Sequence, residues 1–218
     1  MSNKKFITFI MGMDVLLLAG VLGLFGGKDA LRSPNLFSHL SRCTVTVKTE
    51  RGQGSGFVLY EHPNLVITCA HVVEDTMDIS IIDNQGKSFK INPHEVYVDV
   101  DRDVAILPLY KHQWSTGLKL GKVHVGNVVF ICGTPLNDIL QNTITMGIIG
   151  GVRSELFPDN LIQVDGAIHP GNSGGPIVNR FGRLVGMSQS VWRGAHSIGF
   201  GVHVDEIKKV LEEYMEWL

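Results

Sequence analysis

A serine set between glycines and prolines, in Ala167-Ile168-His169-Pro170-Gly171-Asn172-Ser173-Gly174-Gly175-Pro176, is the feature of this sequence best suited to chemistry. Gly tolerates positive φ and close backbone approach, while Pro fixes φ and removes a donor. The run is therefore a tight loop, not the interior of a helix or strand. Such a loop can expose an Oγ beside N–H groups that converge on one small space, which is what acyl transfer to a serine needs. The amides of Gly171 and Ser173 are the candidate donors to the oxyanion formed at attack. The alcohol also requires a base. His71, closing the apolar run Val66-Ile67-Thr68-Cys69-Ala70-His71, is the candidate, because a pKa near 6.5 lets it take and return a proton near neutrality. A carboxylate to orient the imidazole could come from Asp99, Asp101 or Asp103, just ahead of Val104-Ala105-Ile106-Leu107. Taken alone, G-x-S-G-G is explained equally well by a hairpin turn with an incidental serine.

Composition narrows the rest. The chain has 218 residues, 44% apolar and 18% charged, with 25 glycines, which is a globular composition leaning to β. A net charge of −2 gives no basic field for nucleic acid. Three cysteines, Cys43, Cys69 and Cys132, form no C-x-x-C and no disulfide framework. Cys69 reads as a small buried hydrophobe. His62, His94, His112, His124 and His196 fall in turns or polar edges without ligand spacing, so no metal and no cofactor is expected. The glycines of Arg51-Gly52-Gln53-Gly54-Ser55-Gly56 open no helix, which argues against a phosphate cradle.

Residues that do this chemistry must be held by something rigid. From Cys43 onward the pattern is β: runs at 43–49, 57–60, 65–68, 78–83, 87–91, 95–100 and 104–109 are short, β-branched and bounded by Gly, Pro or Asn turns. A second set follows at 123–132, 143–152, 160–164, 175–178, 183–190 and 197–203. Short strands without intervening helices predict antiparallel all-β, in two six-stranded barrels of about 42–112 and 120–204. Ile207, Val210, Leu211, Tyr214, Met215 and Leu218 form one helical stripe over 205–218, which Asp205 can cap. Residues 1–41 stand apart. The run 6–27 has the length of a membrane span, with Asp14 costing about 2.5–3.5 kcal/mol there and the apolar residues offsetting it. It reads as a membrane anchor, a cleaved signal or a packed amphipathic segment. The first two imply a membrane-anchored or exported protein; the third implies a soluble intracellular or organellar one. A linker and short helix starting at Ser33-Pro34 precede the β region.

Three motifs in order, T-x-A-H-V at His71, D-V-A-I-L at Asp103 and G-N-S-G-G-P at Ser173, resemble the chymotrypsin-fold serine peptidases, specifically the HtrA/Deg branch, over roughly residues 42–212. The resemblance implies a two-barrel fold and a peptidase acting on polypeptides. It also implies a triad of His71, Asp103 and Ser173, choosing Asp103 over its neighbours because Val-Ala-Ile-Leu follows it. It further implies that Ala167 lies at the base of the pocket for the residue before the scissile bond (P1). Met187, Ser188 and Gln189 would form a wall of that pocket, with Asn172 beside the nucleophile. Without a carboxylate at Ala167, a small or medium apolar P1 is expected. HtrA relatives are commonly trimeric, so a homo-oligomer is an expectation of the resemblance alone. The chain ends after its helix, where such relatives carry a PDZ domain. The same motifs look like the peroxisomal trypsin-domain processing peptidase, but Glu216-Trp217-Leu218 is not an S-K-L signal. The contrasting expectation is a catalytically silent module of this fold that binds peptides or partners.

Overall fold

The computed structural model describes residues 33–136, 138–154, 160–191 and 198–218. The apolar run 6–27 lies outside them. No helix among the described residues is long and apolar enough to cross a membrane. Ser38–Leu218 forms one compact unit.

Within that unit the chain builds two antiparallel sheets. The first contains β1 (Thr44–Thr49), β2 (Gly52–Leu59), β3 (His62–Thr68), β4 (Ile79–Ile82), β5 (Ser88–Ile91), β6 (Tyr97–Asp99) and β7 (Val104–Pro108), in the order β5-β4-β1-β2-β3-β7-β6. The second contains β8 (Lys119–Leu120), β9 (Val128–Gly133), β10 (Thr143–Arg153), β11 (Leu161–Asp165), β12 (Pro176–Asn179), β13 (Arg183–Val191) and β14 (Gly199–His203). A β12–β13 ladder closes six of these strands into a barrel, and β8 adds to β13 in parallel. The first sheet curls as a half barrel. Helix α1 (Ser33–Cys43) leads into β1, a single turn α2 (Ala70–Val73) follows β3, and α3 (Val204–Trp217) ends the chain.

The period-2 alternation of the strands explains how two sheets share one interior. In β7, Ala105 and Leu107 face the interior of the first sheet with Val45, Val58, Val66 and Ile81. Val104 and Ile106 face the other way, into a core shared with Val178, Leu184, Val202 and the α3 residues Ile207, Val210 and Tyr214. Being buried on both faces, β7 reads in sequence as a continuous apolar run rather than an alternating one. Val129, Ile131, Ile162, Ile177 and Val185 fill the second barrel. All three cysteines are free and buried in the shared core. Burial pushes the Cys43 thiol up to about 11 and the Cys132 thiol to about 12, so both stay protonated.

α3 is fastened to the turn before β7. Arg102 donates two hydrogen bonds to Glu213 at 2.7 and 2.9 Å, one to Asp99 at 2.7 Å, and lies 3.6 Å from Glu206. Burial alone would raise the Glu206 carboxyl. Bonds from Lys209 and Asn160, with the Arg102 charge, more than offset it and hold the group below its ordinary value. The cap of α3 differs from the expectation. His203, not Asp205, is the N-cap residue, and its Nδ1 accepts from the Asp205 amide at 3.1 Å. A ring nitrogen two residues upstream satisfies that donor, leaving Asp205 exposed in the first turn.

Candidate active site

Two neighbouring backbone features place the imidazole and the carboxylate. β3 ends at Thr68, and α2 turns the chain so that His71 projects, half-exposed, from the seam. Asp103 sits at φ 54°, a left-handed conformation that Asp tolerates better than most side chains, with its amide bonded to the Val100 carbonyl at 3.2 Å. That turn aims its buried carboxylate back at α2. His71 Nδ1 lies 2.9 Å from Asp103 Oδ2 and 3.0 Å from Oδ1, and the His71 backbone amide donates to Oδ1 at 3.0 Å. The hydrogen bond that His71 donates to Asp103 raises the His71 pKa, burial opposes it, and the charges of Asp103 and Glu74 add to the rise.

Ser173 arrives from the second barrel on the loop between β11 and β12. The glycines around it are there for contact as much as for torsion. Gly174 has φ 84°, and a Cβ there would lie 2.1 Å from the Ser55 carbonyl and 2.3 Å from Thr68 Oγ1. Gly171 has φ 97°, and a Cβ would lie 2.3 Å from the Thr134 carbonyl. Gly174→Ala is therefore expected to cost more than about 1 kcal/mol of stability, read as a lowered urea midpoint, and to push Ser173 out of register. The loop is also stitched to β13: the Gly174 amide donates to the Ser188 carbonyl at 2.7 Å and the Ser188 amide to Gly175 at 2.8 Å.

The structure thus brings His71 and Ser173 to one pocket of about 320 Å³, shared with Arg51, Gln53, Glu74 and Gly171. Asp103 lies behind the imidazole. Ser173 Oγ donates to the Gln189 carbonyl at 3.0 Å. Gln189 is the residue at which the β13–β14 register shifts by one, and this bulge turns its carbonyl toward the Ser173 loop. Among the described residues nothing accepts from the Gly171 or Ser173 amides.

Three of the expected substrate contacts have buried side chains. Met187 is fully buried in the shared core. A bulge between Ile177 and Val178 in the β12–β13 ladder advances the phase of β13 by one residue, so Met187 joins Leu184 on the inner face. Ser188 is fully buried beneath Gly175, and the Cys69 thiol donates to its carbonyl at 3.4 Å. Asn172 is 2% exposed, with Oδ1 turned inward against Gly133. None of the three side chains offers surface to a substrate. Ala167 is exposed, and its carbonyl accepts from Thr145 Oγ1 at 2.9 Å. The next residue, Ile168, is buried and fills the space a side chain at Gly199 would need.

Among the described residues, Cys69, His71 and Asp103 are the group whose ligand atoms come within 4.8 Å of one another. Burial and the Asp103 charge raise the Cys69 thiol well above its ordinary range. Its thiol proton is already engaged, donated to the Ser188 carbonyl at 3.4 Å. Ser55, by contrast, is not among the candidates the sequence offers, although it touches the Ser173 loop twice. Its signal was a polar residue inside a strand between two glycines, where another backbone approaches closely.

The chain is similar to known proteins over most of its length. The family described as "Trypsin-like peptidase domain" matches residues 54–187. The chain is 31% identical over 173 residues to the putative serine protease HhoA of Synechocystis sp., covering 73% of this chain and 42% of that protein. It is 31% identical over 185 residues to the serine protease Do-like HtrA of Bacillus subtilis, covering 77% and 40%. The chain thus spans about two fifths of the length of these relatives. Among solved structures, an HtrA-type protease AlgW with tripeptide superposes with a TM-score of 0.74 at 25% identity, covering 84% of this chain and 63% of that one. The serine endoprotease from Yersinia pestis gives 0.71 at 26%, covering 83% and 66%.

Proposed function

The chain belongs to the trypsin-like peptidase domain family, and on that premise we propose that it is an HtrA-like serine endopeptidase working through His71, Asp103 and Ser173. The observation that carries this is the His71–Asp103 pair, at 2.9 Å, sharing one pocket with Ser173 on a glycine-built loop. Asp103 fixes the tautomer with the proton on Nδ1, leaving Nε2 to take the Ser173 proton. The hydroxyl exchanges its bond to the Gln189 carbonyl for one to the imidazole by rotating about χ1, a cheap motion for a half-exposed serine. Oγ then attacks the scissile carbonyl, and the Gly171 and Ser173 amides receive the oxyanion. His71 returns its proton to the leaving amine. Water repeats the sequence on the acyl-enzyme.

Substrates on this proposal are polypeptides. Ala167 is exposed and the adjacent Ile168 packs against Gly199, and an apolar surrounding without a carboxylate suits a small or medium apolar P1. The test is cleavage profiling of a peptide library with the full chain. Cuts are expected after Ala, Val, Ile or Leu, with Lys and Arg disfavoured about tenfold or more. Dominant cleavage after Lys or Arg would refute the assigned pocket, and no cleavage by folded protein would favour a silent peptide-binding module.

A further inference from the structure

We propose that Ser55 is a positioning residue for the oxyanion site, a hydroxyl supplied by the first sheet that fixes the orientation of the peptide groups around the nucleophile. The inference rests on the peptidase proposal above.

An oxyanion hole lowers a barrier only if its donors already point at the right place, because reorienting them during the reaction returns the gain. Gly171 is the weak point of such a device. Glycine accepts either sign of φ, so its flanking peptide groups can turn at little steric cost. Their orientation must be fixed by bonds on the carbonyl side. The Pro170 carbonyl accepts from the Leu136 amide at 2.9 Å, and the Asn172 amide donates to His169 at 2.9 Å. The Asn172 carbonyl, in the same peptide group as the Ser173 amide, accepts from the Gly175 amide at 2.8 Å, and two further restraints come from Ser55. Its Oγ donates to the Gly171 carbonyl at 2.7 Å, and its amide donates to the Ser173 carbonyl at 2.8 Å.

Ser55 is itself held on every side. It is fully buried, its Oγ accepts from the Thr134 amide at 2.9 Å, and its carbonyl accepts from Thr68 Oγ1 at 2.7 Å. One residue of β2 thus holds the carbonyls of both residues whose amides would bind the oxyanion, fixing the 171–172 peptide that lies between the two donor peptides and the 173–174 peptide that follows them, and it does so from the half of the molecule that carries His71 and Asp103. Its neighbours fit the role. A Cβ at Gly54 would lie 3.0 Å from the Ser173 carbonyl, and one at Gly133 would lie 2.9 Å from Ser55 Oγ. Removing the hydroxyl leaves the Gly171 carbonyl and the Thr134 amide without that partner, and turning the 171–172 peptide is the relief available to the loop.

The experiment compares Ser55→Ala with Thr44→Val, which deletes another buried hydroxyl, bonded to the Leu40 carbonyl at 2.8 Å, away from the nucleophile. Ser55→Ala is expected to lower kcat by about 10–100-fold with KM within about threefold. It should weaken a peptide boronic acid inhibitor by a similar factor, while the affinity of a cleaved product peptide is unchanged. Thr44→Val should keep wild-type kcat. Hydrogen exchange of the amides at 171–175, read without any turnover, should accelerate about tenfold in Ser55→Ala and not in Thr44→Val. An active wild type with unchanged kcat and exchange in Ser55→Ala would overturn the inference and leave the peptidase proposal standing. A wild type without peptidase activity would sink that proposal, and the exchange comparison would still decide whether Ser55 restrains the loop.

Discussion

Ser173→Ala is expected to lower kcat by about a million-fold while leaving peptide binding and the fold nearly untouched. The asymmetry follows from what the side chain does. Ser173 Oγ makes one hydrogen bond, to a carbonyl at a β-bulge, so its loss disturbs little of the interior. The loop's own restraints run through backbone atoms of Gly171, Ser173, Gly174 and Gly175, which the substitution keeps. The melting temperature should stay within about 2 °C of wild type, as for a half-buried side chain outside the core. Residual turnover of about 10³–10⁴ over the uncatalysed rate should persist, because the amide donors and the binding surface survive. A fluorophosphonate probe gives the direct measurement: it should label wild type and not Ser173→Ala. Label retained in the variant would remove Ser173 from the nucleophile role. Folded wild type that takes no label would point instead to the silent module.

How far the sequence revealed this site depends on which physical signal each residue carried. His71, Asp103 and Ser173 stood out because each breaks a pattern: a histidine ending an apolar strand, a carboxylate ahead of a doubly buried one, a serine among glycines. The two sheets were legible from alternation, since Val45 and Val47 point one way and Thr44 and Thr46 the other. Bulges were not legible. One extra residue in β13 shifts the alternation, so the Met187 side chain joins Leu184 in the shared core. A second bulge at Gln189 gives the serine its resting partner, again without any compositional trace. Ser55 was hidden for a different reason. Glycines on both sides give Gly52–Gly56 the composition of a turn, whereas the small residues are there to let the Ser173 loop press against a strand. Tertiary approach, not local propensity, selected them.

Asp103→Asn should cost about four orders of magnitude in kcat and move the acid limb of the pH profile, and the geometry says why. The carboxylate accepts from the His71 amide through Oδ1 and from Nδ1 through both oxygens. Asn has a single oxygen, and the backbone N–H, which cannot become an acceptor, claims it. The carboxamide nitrogen is left facing Nδ1, which must then accept. The imidazole proton moves to Nε2, and no lone pair remains there for the Ser173 proton. Because the Asp103 hydrogen bond is the main force raising the His71 pKa, the acid limb of kcat/KM in wild type should lie above 6.5. In the variant it should shift to lower pH, since burial is left to act against the Glu74 charge alone. Stability follows the same pair with a definite sign. A folded-state pKa above the unfolded value makes the His71 contribution fully present below 6.5 and lost as pH rises through the raised value. Asp103→Asn should therefore depress the melting temperature more on the acid side of the His71 transition than on the alkaline side. An NMR titration of the His71 ring, run beside the melts, checks both. An unshifted His71 titration with kcat within tenfold of wild type would assign the orienting role to another carboxylate.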